Sequence, residues 1–334
     1  MRIAPHKVIG AIALSVIVIL LLWAGVASVD RSPWGPPLKL SIAVAPAIYS
    51  GLIAVADEKN YFKEAGLDIS IQPYPSGLEA LRAMCRGDAR VATAADVAFS
   101  VEVLKDPALR VLASIGTTEG SKIVARKDRG IRTPSDLRGK RIGFSADTVS
   151  DYFLYTFLLI ENISPNEVTA VNIAPARQVE VLLNGEVDAV SAFEIFAYEA
   201  TVRLDANGVS WSSQNNLDYH WILAMKDGAV RSAEPLKRLL SALLKAESFV
   251  RSDEAEAKRL VARKWGFDPA FVEASWRQTR LEVLFNQSMV NALQNYVQWK
   301  LKKAGRTEVP PDVLQYLHTD VMDAVAPELV TLYR

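Results

Sequence analysis

The sequence has little of what disulfides, metal sites and nucleic-acid surfaces require. Cys85 is the only cysteine among 334 residues, so no intrachain disulfide can form and no cysteine near the N-terminus can carry a lipid. The three histidines, His6, His220 and His318, are too scattered for a metal site. Because 38 basic side chains balance 38 acidic ones, the chain lacks the positive field that nucleic acids require. We therefore expect no metal, no cofactor and no nucleic-acid partner.

Short catalytic motifs are also missing. The chain contains no HExxH, no phosphate-binding loop, no GxSxG and no GxGxxG, which argues against several common enzyme classes, though not against all of them. What is present is an ordinary globular balance, with 50% hydrophobic and 23% charged residues and a length that has room for two domains.

An uncharged apolar run spans residues 8–29, after a short basic flank. About 20 residues match the thickness of a bilayer core, whereas the apolar part of a cleaved signal peptide has about 7 to 15. We expect residues 1–30 to be a signal peptide, cut after Ala27, or an uncleaved membrane anchor; a buried core helix is the remaining alternative. The basic flank places the N-terminus inside, so the rest of the chain is exported.

After a proline-rich linker at 31–37, apolar strands alternate with amphipathic helices. Strands are predicted at 38–45, 67–72 and 90–94, and the helix between the last two begins at the capping box Ser76-Gly77-Leu78-Glu79 and stops at Gly87. Strands that are apolar throughout indicate a parallel sheet covered on both faces. The first unit is therefore predicted to be βαβαβ.

A second unit repeats this order. Gly185-Glu186 stops a helix as Gly87-Asp88 does, and Glu194 follows the next strand as Asp96 follows the first, with one register of 185 − 87 = 98 residues. Strands are predicted at 140–144, 167–173 and 188–192. Two similar α/β lobes are expected, and ligands usually lie where such lobes face each other.

The rest of the pattern connects the two lobes. Crossings near 115–121 and 219–225 are expected to form a hinge, and the helices after residue 225 return to the first lobe. We predict a first lobe of residues 38–118 and 223–334 and a second lobe of 119–222, each a doubly wound, mostly parallel sheet, with a helical C-terminal tail.

Four segments, in their order and spacing, carry a family resemblance: YFKEAGLD at 61–68, PSG at 75–77 with its Gly87-Asp88 stop, DLRGKRIG at 136–143 and LLNGEVDA at 182–189. They resemble the periplasmic solute-binding proteins of ABC importers, in the branch for nitrate, sulfonates, taurine and thiamine-pyrimidine precursors. The stretch Phe193-Glu194-Ile195 departs from this family, whose members often carry Trp and Pro there.

The resemblance implies a type II periplasmic-binding-protein fold and a periplasmic, monomeric, non-catalytic protein. It would close on a small molecule and deliver it to an ABC permease and its ATPase. Two alternatives stay open: a membrane-tethered sensor or scaffold, and an enzyme like the thiamine-pyrimidine synthases, which use pyridoxal phosphate and a histidine.

In a doubly wound lobe the ligand lies beyond the carboxyl ends of the strands, so the loops after each strand supply the candidate residues. The predicted ligand-binding residues are Tyr49, Ser50, Ser76, Gly77, Asp96, Thr117, Glu119, Ser145, Asp147, Ser150, Phe193 and Glu194. For the serines at 50, 76 and 150, helix capping is the alternative role.

Acidic side chains crowd these loop tips, which carry no Arg or Lys. Asp96 and Glu194, at equivalent places in the two repeats, are predicted to approach one ligand from opposite lobes. Such a site favours a neutral or cationic ligand with N–H donors over a nitrate or a sulfonate. The alternative is that both acids only complement helix N-termini.

Overall fold

Two mixed sheets organise the chain. The computed structural model describes residues 36–212 and 218–333. The predicted leader or anchor, residues 1–30, and all but the last two residues of the linker lie outside the described residues. None of the helices within the described ranges has both the length and the hydropathy of a bilayer-crossing segment.

The described strands are β1 Leu38–Val44, β2 Leu67–Pro73, β3 Val91–Ala95, β4 Leu109–Thr118, β5 Lys122–Arg126, β6 Arg141–Phe144, β7 Thr169–Asn172, β8 Ala189–Ala192, β9 Gly208–Ser212, β10 Tyr219–Lys226, β11 Thr279–Arg280, β12 Phe285–Asn286 and β13 Val330–Thr331. The first sheet has the order β11-β4-β10-β3-β1-β2 and the second has β7-β6-β8-β5-β9, while β12 and β13 pair separately.

The two sheets share one topology. In the first, β2, β1 and β3 are parallel and β10 pairs antiparallel with β3. In the second, β7, β6 and β8 are parallel and β5 pairs antiparallel with β8. The prediction of two doubly wound α/β lobes is confirmed. Each sheet is mixed rather than mostly parallel, because antiparallel pairs continue it beyond β3 in the first lobe and beyond β8 in the second.

The described α-helices are α1 Gly51–Glu58, α2 Tyr61–Glu64, α3 Gly77–Arg86, α4 Asp96–Glu102, α5 Val149–Ile160, α6 Gln178–Leu183, α7 Glu194–Leu204, α8 Glu234–Ser252, α9 Glu254–Trp265, α10 Pro269–Trp276, α11 Gln287–Lys303 and α12 Asp320–Val325. The C-terminal helices extend the first lobe: α8 and α9 pack on α1, and α11 packs on α4. The predicted helical tail is thereby confirmed.

The glycines of the 98-residue repeat end their helices in the same way. Gly87 and Gly185 both have positive φ, 90° and 74°, a conformation that glycine adopts without steric cost. Their N–H groups bond back to the carbonyls of Met84 and Leu182. Asp96 and Glu194 are then the first residues of α4 and α7, so the register places them at equivalent positions.

The chain crosses between the sheets twice. Residues 119–121 lead from β4 to β5, and the return crossing leads from β9 to β10. The lobe boundaries at 118/119 and 222/223 stay a prediction; the second of them falls inside β10, which pairs with β3 and β4 along its length. Both crossings reach the neighbouring strands β4 and β10, so the structure brings the predicted hinge segments side by side.

Candidate functional site

A cavity of about 240 Å³ lies between the two sheets, at the carboxyl ends of their parallel strands. The first sheet contributes the residues after β1, β2 and β3, and the second contributes Thr148, Val149 and the segment 193–196. The remaining wall comes from β10 and from the junction of α9 and α10, through Tyr219, Trp221, Phe267 and Phe271. This is the position predicted for a ligand in a pair of doubly wound lobes.

Aromatic rings form one wall of the cavity. The Tyr49 ring lies 4.5 Å from the Trp221 ring and 5.7 Å from the Tyr219 ring, centroid to centroid. The indole Nε1 of Trp221 donates to Ser50 Oγ at 2.8 Å, and Ser50 Oγ donates to the Ala45 carbonyl at 2.8 Å. Ser50 therefore fixes the Trp221 ring from behind instead of facing a ligand, which corrects its predicted role as a contact or a cap.

Ser76 and Gly77 let the start of α3 approach the aromatic wall. Ser76 Oγ accepts from the Glu79 N–H at 3.3 Å, as the capping prediction requires. A Cβ on Gly77 would lie 2.5 Å from Cη2 of Trp221 and 3.0 Å from Cα of Ala94, so a side chain would displace the ring. Both residues line the cavity.

Glu194 is the acid that lines the cavity. Its side chain is buried, and neither carboxylate oxygen has a hydrogen-bond partner among the described residues. Burial raises the pKa of Glu194 to about 8, while the nearby Ile48 N–H, which forms no well-aligned hydrogen bond with it, and the charge of Lys122 lower it less. At neutral pH this carboxyl is therefore mostly protonated in this conformation.

The Glu194 carboxyl lies against the first crossing between the sheets. A Cβ on Gly120 would lie 2.4 Å from Oε2 and 2.8 Å from Cβ of Glu194, so only a glycine leaves room for this contact. The buried hydroxyl of Tyr219 lies close enough to the Tyr49 hydroxyl and to Glu194 for both groups to raise its pKa. The Glu194 carboxyl is thus packed against the crossing, and its oxygens have almost no accessible surface in this conformation.

Asp96 does not face Glu194 across the cavity. It is fully buried and accepts hydrogen bonds from the N–H groups of Val97 and His220, both at 2.8 Å. Burial raises its pKa to about 8, and these two donors offset only part of that effect. Asp96 joins β10 to the start of α4, so the predicted facing pair is wrong and its neighbours Ala95 and Ala98 line the cavity instead.

The serines of the second lobe are internal connectors. Ser150 Oγ donates to the Ser191 carbonyl at 2.6 Å and accepts from the Ser145 N–H at 3.0 Å. Ser145 Oγ donates to the Ile173 carbonyl at 2.7 Å and accepts from Gln178 Nε2 at 3.2 Å. Their hydrogen-bonding groups are engaged within the lobe, which corrects both as ligand contacts, and α5 is capped by Thr148 rather than by Ser150.

Thr117 and Glu119 lie behind the aromatic wall. Thr117 lines a second, polar cavity of about 340 Å³ together with His220, on the face of β10 opposite to Trp221. Glu119 lines a small void beside Tyr219, and burial together with the Asp218 carboxylate raises the pKa of Glu119. Neither residue lines the main cavity, so the structure separates both from the predicted site.

Asp147 is paired with a cation from far along the chain. Lys300 of α11 donates to its carboxylate, and Lys303 of the same helix donates to Asp151 of α5 at 2.5 and 2.7 Å. The Tyr152 ring packs edge-on against Trp299 at 5.2 Å. Two lysines of α11 thus neutralise these two acidic residues. Asp147 pairs with Lys300 and does not line the cavity.

Of the twelve predicted residues, the structure brings five together at the cavity: Tyr49, Ser76, Gly77, Phe193 and Glu194. Sequence reasoning did not nominate five other residues that line it, which are Tyr74, Phe196, Trp221, Phe267 and Phe271. Phe267 and Phe271 contact each other edge-on at 5.2 Å. Position directly after β2 could have identified Tyr74, but nothing local identifies the two C-terminal phenylalanines.

The cavity offers apolar surface, aromatic faces and one buried carboxyl. No lysine, arginine, histidine or cysteine of the described residues lines it. Within the described ranges, no group of three or more His, Cys, Asp and Glu side chains could hold a metal ion. Chemically, this arrangement can enclose a small organic molecule.

Comparisons with known proteins relate the chain to a family. The profile of the NMT1/THI5-like family matches residues 48–257. The taurine-binding periplasmic protein of Escherichia coli K12 is 26% identical over 220 residues, which span 63% of this chain and 66% of that protein. The resemblance drawn from the four sequence segments is confirmed.

Solved structures show the same fold at low identity. The alkanesulfonate-binding protein SsuA from Xanthomonas axonopodis pv. citri, bound to MOPS, superposes with a TM-score of 0.72 at 17% identity, over 85% of this chain and 99% of that one. The desulfurization enzyme DszB superposes with a TM-score of 0.63 at 17% identity, over 87% and 99%. The same fold therefore occurs in binding proteins and in an enzyme, so function has to be argued from the residues that line the cavity.

Proposed function

Because the chain belongs to the NMT1/THI5-like family and has the two-lobed periplasmic-binding-protein fold, we propose that it captures a small organic solute outside the cytoplasm and delivers it to the permease and ATPase of an ABC importer. The proposed ligand is neutral or cationic. The retained contact residues are Tyr49, Ser76, Gly77, Phe193 and Glu194, joined by Trp221.

The observation that carries this proposal is the cavity lined from both sheets. A solute enclosed there touches both lobes at once, so the lobes must separate for it to enter or leave. Its contacts with the second lobe exist only in the closed arrangement and therefore favour closure. The crossings next to β4 and β10 are the proposed hinge, and this conformational cycle is what a permease would read.

We also propose that residues 1–30 direct export, as a cleaved signal peptide or as an anchor in the inner membrane. An anchored monomer could act either in transport or as a tethered sensor, so anchoring does not decide between transport and sensing. Transport is preferred since the taurine-binding relative is a periplasmic binding protein.

Catalysis is the competing proposal, because DszB shares the fold. Among the described residues the cavity has no cysteine, histidine or lysine in its wall. Cys85 lies in α3 outside the cavity, and His220 faces the polar cavity behind β10. This wall supports binding without a covalent step.

The test is a thermal-shift screen of the full chain against amines, pyrimidines, taurine, alkanesulfonates and nitrate. A ligand at a hundred times its Kd stabilises the folded protein by about 2.7 kcal/mol. The hit should lose affinity in Phe193→Ala and keep it in Tyr333→Ala, whose ring is exposed. Small-angle scattering should show a smaller radius of gyration with the ligand. A hit that is chemically converted during incubation would contradict a pure binding function.

A further inference from the structure

We infer that the cavity selects a monovalent organic cation, a protonated amine carried on a compact apolar or aromatic body, and that Glu194 is the residue that selects it. This inference rests on the proposed function, since it names the ligand class of the same cavity. It also separates this chain from the sulfonate-binding structure that shares its fold.

The charge of the cavity wall disfavours a strong anion as the preferred ligand. Among the described residues, no lysine or arginine lines it, and Glu194 is its one carboxyl. A sulfonate or nitrate enclosed here would have no opposing charge in the wall and would lie near an acid. The backbone N–H groups at the starts of α3 and α7 are the donors available to such an anion, and each helix end carries only about half a charge. Removing the anion from water beside Glu194 is therefore unfavourable.

An ammonium supplies what Glu194 lacks. Both oxygens of this carboxyl are buried without a hydrogen-bond partner among the described residues, and a buried polar group in that state destabilises the structure around it. A ligand N–H donor that met the carboxyl before the lobes closed would satisfy it and, if positively charged, would hold it ionised. The Tyr219 hydroxyl, which lies beside that of Tyr49, is a second polar atom at this end of the cavity.

The aromatic wall suits the rest of such a ligand. Tyr49, Trp221 and Phe193 line the cavity close to Glu194, whose charge also acts on the Tyr49 hydroxyl. Ring faces attract cations, and this attraction strengthens where water is excluded. The same rings bury an aromatic or alkyl body, so the cavity combines one ionic contact with an apolar envelope.

The charge of the ligand should also set how binding depends on pH. When the lobes are apart, Glu194 is exposed to water and carries the ordinary pKa of a glutamate; when they close, burial raises it to about 8. Closure on a neutral ligand therefore takes up a proton, and it weakens as pH rises through this interval, by up to about tenfold in Kd per pH unit. Closure on an ammonium leaves Glu194 ionised, so its Kd changes little.

Other titratable groups around Glu194 do not reproduce this dependence. Burial raises the pKa of Tyr49 and of Tyr219, so both stay neutral across this interval. The positive charge of Lys122 lowers the pKa of Glu194, as a bound ammonium would, but less strongly. Ile48 and Gly120 approach through backbone atoms, which do not titrate.

The experiment compares three probes that share a 2-phenylethyl group and differ in charge: phenethylamine, 2-phenylethanol and 2-phenylethanesulfonate. Titration calorimetry with the full chain at pH 5.5, 6.5 and 7.5 should rank the amine first and the sulfonate last. The Kd of the alcohol should rise with pH, while that of the amine should stay within about twofold. Glu194→Gln should weaken the amine at least about tenfold, remove the slope of the alcohol and leave the alcohol's affinity otherwise unchanged or improved.

Glu79→Gln is the matched control, because Glu79 is an exposed glutamate of α3 outside the cavity wall, and it should behave as the wild type. Circular dichroism shows whether each variant folds. Tighter binding of the sulfonate than of the amine overturns the inference while leaving the proposed solute-binding function intact. Binding of none of the three probes by a folded protein also overturns it, and failure of the whole thermal-shift panel as well would count against the proposed function.

Discussion

The pairing of Lys303 with Asp151 gives the sharpest quantitative prediction about closure. Lys303 ends α11, which packs on the first lobe, and Asp151 lies in the first turn of α5 in the second lobe. Their ion pair, together with that of Lys300 and Asp147, therefore fastens one lobe to the other. Removing the Lys303 ammonium should destabilise the closed arrangement specifically.

The expected loss of free energy follows from the hydrogen bonds that Asp151 would keep without Lys303. Its side chain is only 5% exposed, and it would retain one donor, the Asp147 N–H at 3.1 Å. Leaving a buried charged acceptor short of its partner costs about 1–3 kcal/mol, but the Lys303 side chain is 43% exposed and water can replace part of the contact. We therefore expect about 1–2 kcal/mol, which is a roughly 5- to 30-fold weaker ligand affinity.

The assay is ligand titration and small-angle scattering of Lys303→Ala beside Lys302→Ala. Lys302 precedes it on α11, is exposed and carries the same charge, so it matches the change in net charge and helix content. Lys303→Ala should bind more weakly and close less completely, and its deficit should shrink at high salt, where the wild-type pair is screened. Equal affinities for the two variants would refute the role of this pair in closure.

Three further predictions concern single side chains. Gly120→Ala places a Cβ 2.4 Å from Oε2 of Glu194, so it should weaken every ligand of the cavity, measured by calorimetry; unchanged affinity would mean that this crossing does not contact Glu194 in the bound state. Ser50→Ala leaves the Trp221 indole N–H without its acceptor and should lower the free energy of unfolding by about 1–3 kcal/mol in urea titrations, and a loss below about 0.5 kcal/mol would contradict it. Because the folded state raises the pKa of Asp96 to about 8, it holds a proton that the unfolded chain releases above pH 4, so stability should fall from pH 5 to 8 and fall less steeply in Asp96→Asn; parallel slopes would contradict this.

Local patterns in the sequence were enough to predict the lobes. Apolar strands, a capping serine at Ser76 and a stop at Gly87 are each decided by neighbours a few residues away, and the structure shows them with the expected bonds. The equivalence of Asp96 and Glu194 followed from the same reasoning, since both begin the helix after a third parallel strand.

The different fates of these two acids could not be predicted in that way. Asp96 is satisfied by the N–H of His220, which lies 124 residues further along the chain. Glu194 has no such partner among the described residues, because the crossing brings it the backbone of Gly120 instead. Two residues at equivalent backbone positions thus acquire different hydrogen-bond partners, because their neighbours come from distant parts of the chain that the local pattern does not reveal.

The C-terminal part of the site could not be predicted from the sequence for a related reason. Periodicity shows that α11 has a buried face, but not which element that face meets, so Lys300 and Lys303 gave no indication that they neutralise Asp147 and Asp151. The same holds for Phe267 and Phe271, which close the cavity from residues that sequence reasoning assigned only to a helical tail.

The late position of these residues has a consequence for how the protein comes into being. The chain is made from its N-terminus, and segments that are already complete tend to fold first. Both sheets except the short β11 are complete at Lys226, whereas Phe267, Phe271 and the lysines of α11 are added afterwards. A growing chain would therefore present a half-built cleft that cannot yet hold its solute, and it would gain its binding activity only when its last fifth has emerged.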